Sequence, residues 1–128
     1  MKRIDFIKSM NTKVIHQDKS SFVLKHSEDI FQTCYCQNDD VTAVQLFATA
    51  YVSKDPIKQI KHTESILKVF KSVLTLLCEY DDDDVRLVMN RLGLFDLSFK
   101  FGKEMSLYDY LLKAEVVDGL FIVTIAEV

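Results

Sequence analysis

The dipeptide Asp118-Gly119 constrains this chain more than any other pair of residues. Asp-Gly suits the left-handed backbone positions of a tight hairpin turn, and apolar residues recur on both sides of it. A two-residue turn there sets Val116 opposite Phe121, Ala114 opposite Val123 and Leu112 opposite Ile125. Every pair is apolar. A slip of one residue would mix the faces, so the sequence specifies one register. Phe121 to Ala126 is apolar on both faces. Such a strand makes a poor exposed edge, because bare apolar edges aggregate. It is expected under a helix and beside a strand of the N-terminal half, in one continuous sheet. The alternative is an intermolecular edge, and so a dimer.

Upstream, Phe95, Leu97, Phe99 and Phe101 alternate with Asp96, Ser98 and Lys100, the pattern of a half-buried strand. A turn at Gly102-Lys103 would put Leu97 opposite Tyr108 and Phe95 opposite Tyr110. Residues 94–128 are therefore expected to form a three-stranded antiparallel meander.

The N-terminal half divides in the same way. Ile4, Ile7, Met10 and Val14 recur at intervals of three and four, which predicts a helix over Arg3 to Ile15. His16 to Ser20 reads as a loop, and Ser21 to His26 and Ile30 to Gln37 as strands. Asn38-Asp39-Asp40 is turn chemistry. Val41 to Val52 fits a strand or a helix by spacing, and its Val, Thr, Phe and Tyr content favours strand. Asp55-Pro56 opens a helix, with an acceptor at the N-cap and proline at the first helical position. Ile60, Leu67, Phe70, Leu74, Leu77 and Cys78 then keep helical spacing toward Tyr80, with a possible break at His62-Thr63. Asp83 or Asp84 is expected to cap a second, short helix through Leu92, and Gly93 to end it.

The expected fold is α+β, in the order α-βββ-α-α-βββ. One antiparallel sheet of five or six strands carries the helices on one face. At 128 residues and 48% apolar composition, residues 1–128 are expected to form a single domain. Three glycines and one proline leave little room for long loops. No apolar run reaches the about 20 residues that cross a bilayer. Asp5 and Lys8 interrupt any signal-peptide core, and three cysteines suit a reducing compartment, so a cytoplasmic location is expected. The net charge of −3 weighs against non-specific nucleic-acid binding.

Few residues point to chemistry. Cys34 and Cys36 share one face of a strand with His26 a hairpin away, a set that could hold a metal or do thiol chemistry. Their spacing lacks the two-residue gap and second ligand pair of a zinc site, so two inert buried thiols are the plainer reading. The run Asp81, Asp82, Asp83, Asp84 lacks the alternating carboxylates, glycine and distal glutamate of a calcium loop. It reads first as a solvated turn capping a helix. His16, His26 and His62 read as scattered surface residues with no nucleophile in reach. All three glycines are taken up by turns or a cap, so no phosphate loop can be built. The aromatic residues near Tyr108 lack the basic frame of an RNA-binding sheet. No cofactor is implied.

Charge placement is the remaining signal. Lys58, Lys61, Lys68 and Lys71 fall in one polar arc of the long helix, and Glu79 and Asp81 to Asp84 follow its end. Basic residues early and acidic residues late oppose the helix dipole. An ordinary solvated face explains the lysines; a surface with two opposite poles, read by a protein partner, is the functional alternative. The chain is thus expected to be a non-enzymatic protein-binding module of the inhibitor, immunity or assembly-chaperone type. Two other readings stand beside it: a small metal- or thiol-dependent enzyme centred on Cys34 and Cys36, and a structural homodimer joined by a sheet edge or helix face.

Overall fold

The computed structural model describes residues 1–94 and 102–128. Three helices, α1 (Arg3–Met10), α2 (Pro56–Leu76) and α3 (Asp82–Arg91), accompany seven strands. The strands are β1 (Lys13–Gln17), β2 (Ser21–Ser27), β3 (Ile30–Gln37), β4 (Asp40–Thr49), β5 (Lys103–Leu107), β6 (Tyr110–Val117) and β7 (Leu120–Glu127). All are antiparallel in one sheet of order β1-β2-β3-β4-β7-β6-β5.

The Asp118-Gly119 hairpin has the expected register: Val116 faces Phe121, Ala114 faces Val123 and Leu112 faces Ile125. Asp118 and Gly119 both have positive φ, 51° and 77°. A Cβ on Gly119 would meet no atom within 4 Å, so backbone conformation and not space favours glycine there. β7 also lies inside the sheet, with β4 on its other side.

Four expectations are corrected. The sheet has seven strands, not five or six, because the predicted first helix is two elements. Asn11 takes the left-handed conformation (φ 49°), donates its N–H to Ile7, and ends α1. The next residues then form the edge strand β1. Ile7 and Met10 pack against the core as the spacing implies, but Ile4 is exposed and Phe6 is the buried residue of α1.

The turn predicted at Gly102-Lys103 is instead at Tyr108-Asp109, where Tyr108 has φ 54°. Lys103 is a strand residue opposite Ala114, so Tyr108 faces no strand partner. The predicted strand over Phe95–Phe101 lies outside the described residues. Helix α2 runs unbroken past His62-Thr63, and Thr63 donates back to the Gln59 carbonyl (3.0 Å) instead of capping a new helix. The N-cap of α3 is Asp81, not Asp83 or Asp84.

The core fills one face of the sheet. Phe22, Cys34, Val44, Ile125 and Leu112 stand in one row across five strands. Leu24, Gln32, Leu46, Val123 and Ala114 form the next. All ten side chains are buried, against Phe6 of α1, Ile66, Phe70, Val73 and Leu74 of α2, and Val85, Val88 and Met89 of α3. The helices thus share one face, as predicted. Arg3 staples α1 down: its guanidinium donates to the Asp18 and Lys19 carbonyls and lies 5.8 Å from the Phe22 ring centroid. Among the described residues no helix is long and apolar enough to cross a membrane.

Candidate docking surfaces

Asp55 fixes the start of α2, accepting the Ile57 N–H (3.0 Å) ahead of Pro56. All four buried residues of α2 lie in its second half, from Ile66 to Leu74. The first half is held by polar contacts instead. Gln59 donates to the Ala50 carbonyl and accepts from the Val52 N–H, both at 2.9 Å. His62 Nε2 donates to the Thr49 carbonyl. These bonds bring Tyr51 and Val52 alongside the helix start.

Apolar side chains with no core to enter are concentrated at this end. Tyr51 is 63% exposed, Ile57 66% and Ile60 57%, and Val52 is exposed as well. Ile60, counted in the apolar repeat of the helix, is therefore exposed and not part of its buried stripe. At about 100° per residue, Ile57 lies half a turn from Ile66 and Ile60 about 120° from it, so both leave the buried stripe. Lys54, Lys58 and Lys61 are exposed around them, and Lys68 and Lys71 are exposed farther along the helix. Sequence reasoning found the lysine arc and missed the apolar cluster at its head. The available signal was phase: Ile57 and Ile60 do not share the angular position of Ile66, Phe70 and Val73.

The acidic run divides into two roles. Asp81 Oδ1 accepts the Asp84 N–H at 2.8 Å, and Asp84 Oδ2 accepts the Asp81 N–H at 3.3 Å, a reciprocal capping box. Asp84 Oδ1 also accepts the Tyr108 hydroxyl at 3.2 Å, tying the β5–β6 turn to α3. That contact holds the Tyr108 hydroxyl above its ordinary pKa. Beside it, Tyr80 donates to the Leu107 carbonyl (2.6 Å) and Tyr110 to the Leu77 carbonyl (3.1 Å). Burial pushes Tyr110 up to about 12. Asp82 and Asp83 are exposed, and Asp83 forms a surface ion pair with Arg86 (3.7 Å). Lys71 and Asp82 meet in an open groove of about 300 Å³ with Val85, Arg86 and Met89, so the basic arc and the acidic turn are neighbours.

Cys34 ends a polar chain that runs in from His26. His26 Nε2 donates to Gln32 Oε1 at 2.8 Å, and Gln32 Nε2 donates to Cys34 Sγ at 3.5 Å. Gln32 is the single fully buried polar side chain among the described residues. Burial pushes the Cys34 thiol up to about 12, and raises Cys36 as well, against the nearby Arg3. Both shifts disfavour the thiolate that nucleophilic or metal chemistry requires. Cys78, also free, is pushed by burial to about 12. Among the described residues no group of three or more His, Cys, Asp or Glu is placed to hold a metal ion.

The second face of the sheet is a further surface that the sequence reading did not single out. Lys25, Phe31, Phe47, Ile122 and Glu115 form a row across five strands on that face. None of them is buried, and no described helix lies over them. In comparisons with known proteins, the chain matches no family model, no curated protein and no solved structure.

Proposed function

We infer that the chain is a non-enzymatic protein-binding module that docks another protein through the solvent side of α2. One observation carries this reading: Ile57 and Ile60, neighbours at i and i+3 on the head of α2, are both exposed with Lys58 and Lys61 beside them. Single exposed apolar residues are ordinary, whereas a contiguous patch rimmed by polar groups marks an interaction site. Apolar side chains at the centre would supply affinity by leaving water, and Lys58, Lys61, Lys68 and Lys71 would set approach and orientation. The fitting partner presents apolar pockets edged by Asp or Glu. Asp82 and Asp83, at the far end of the same helical layer, give the surface its opposite pole. Asp81 and Asp84 are occupied by the capping box.

The reading is tested by comparative capture from native lysate. Wild type, Ile57→Asp/Ile60→Asp and the distant control Lys19→Glu are immobilised at equal loading. A protein retained by wild type and the control but lost from the double variant supports the assignment. Equal retention by all three removes α2 as the docking surface. The thiol-enzyme reading is tested on the same material by elemental analysis and thiol titration: stoichiometric metal or a fast-reacting Cys34 would favour it.

A further inference from the structure

We propose that the sheet face over which no described helix lies is the interface of a symmetric dimer, with two copies packed face to face about a two-fold axis along β4. β4 is the middle strand of the seven. An axis along it lays β3 over the partner's β7 and β2 over the partner's β6.

The pairing this dictates is self-complementary. In the row Lys25, Phe31, Phe47, Ile122, Glu115, the centre is Phe47, which meets its own copy. Phe31 meets Ile122, and Lys25, which stands beside Lys13 of β1, meets Glu115. Each dimer thus gains two opposite-charge pairs at its border and an aromatic and aliphatic strip within. Two rows along the same face, past the row of Thr33, Gln45 and Thr124, Tyr35 meets Ala126, large against small, as interdigitating sheets require. With the axis along β4 the two central strands run parallel and both sheets carry the same twist, so these central pairs stay in reach.

Polar groups on the face would tolerate being covered. The Tyr35 hydroxyl donates to Gln45 Oε1 at 3.1 Å, and Gln45 Nε2 donates to Thr124 Oγ1 at 3.3 Å. Burying groups that already have partners avoids most of the desolvation cost. The area also suffices. Strands about 4.8 Å apart, each roughly seven residues of about 3.3 Å, give a seven-stranded face of about 800 Å², the per-partner area of a standard stable interface. Lys25 and Glu115 already have intrachain ion-pair partners, Glu28 and Lys113, on the same exposed border. The intermolecular pairs would extend that network. This face is opposite the helical layer, so this proposal and the α2 reading fail independently.

The test is sedimentation equilibrium across a concentration series. Wild type is expected to dimerise, and Phe47→Lys, which sets two ammonium groups together on the axis, to be monomeric with an unchanged circular dichroism spectrum. Lys25→Glu alone and Glu115→Lys alone each create two like-charge pairs and should raise the dimer dissociation constant by about tenfold. The combined swap should restore it. A wild type that stays monomeric at its solubility limit overturns the proposal and leaves the face to a different protein. A dimer insensitive to the single charge reversals, or one the combined swap fails to rescue, overturns the two-fold arrangement even if Phe47→Lys does not fold.

Discussion

Splitting the acidic run in two separates its structural half from its exposed half, and the structure gives each half a magnitude. In Asp81→Ala/Asp84→Ala, α3 loses both bonds of its capping box, and the Tyr108 hydroxyl loses its acceptor. Loss of an N-cap costs about 1 kcal/mol, and an exposed hydrogen bond adds somewhat less. The two aspartates share one network, so their effects overlap and the pair should cost about 2 kcal/mol. At about 2.1 cal/mol/K per residue of unfolding entropy, a chain of this length loses roughly 4 °C of Tm per kcal/mol, or about 8 °C in all. Alanine is the informative replacement at Asp81, since asparagine caps nearly as well. Asp82→Asn/Asp83→Asn removes only exposed charge and one surface ion pair. At about 0.15 M salt such terms are screened, and the change should stay within about 0.5 kcal/mol, or about 2 °C. Thermal melts followed by circular dichroism would measure both. Equal shifts from the two variants, or a larger one from the asparagine pair, would refute this division of roles.

Three further outcomes are expected. Asp18 accepts from the Ser20 N–H, the Ser21 N–H and the Ser21 hydroxyl, which hold its carboxyl down at about 2 against an ordinary 3.8. Its stabilising contribution is therefore present above the unfolded value and lost as pH falls through about 2, so Asp18→Ala should flatten the stability profile between those limits in acid-unfolding curves. With a disulfide reagent at mildly alkaline pH, Cys34 and Cys78 should stay unreactive until the protein unfolds, whereas a fast native reaction at Cys34 would contradict its buried placement. Tyr80→Phe should cost about 1–2 kcal/mol in urea denaturation by leaving the part-buried Leu107 carbonyl without its donor.

Where the chain reads legibly, local chemistry and global packing agree. Asp118-Gly119 specifies both its own turn and the pairing of Leu112 with Ile125, because two constraints select the same register. Asp55-Pro56 opens a helix for reasons contained within four residues. The misreadings occur where one pattern serves two structures. Ile4, Ile7, Met10 and Val14 look like one stripe, but Asn11 accepts a left-handed backbone that redirects the chain into β1. Gly102-Lys103 looked like a turn because glycine is permissive, yet Tyr108 occupies the left-handed position, held by its hydroxyl on Asp84. That is a tertiary contact 24 residues away, invisible to local spacing.

The candidate surfaces were legible in part. Periodicity placed the lysines on the exposed side of α2 but counted Ile60 in the same apolar repeat as Phe70. Where α2 stops being covered depends on how far the sheet extends beneath it, which no periodicity encodes. The open sheet face escaped notice for a related reason. Phe31, Phe47 and Ile122 alternate correctly for a half-buried strand, and only assembling the strand order shows that nothing described covers them.

The most direct measurement is the affinity of the captured partner for wild type and for Ile57→Asp/Ile60→Asp, titrated by calorimetry at two salt concentrations. The variant should lose at least about tenfold in affinity, since two isoleucines buried on docking are each worth about 1.5 kcal/mol or more. Wild type should also bind more weakly at the higher salt, because the lysines are screened. Full affinity in a variant that folds normally, together with no salt dependence in wild type, would contradict docking through α2.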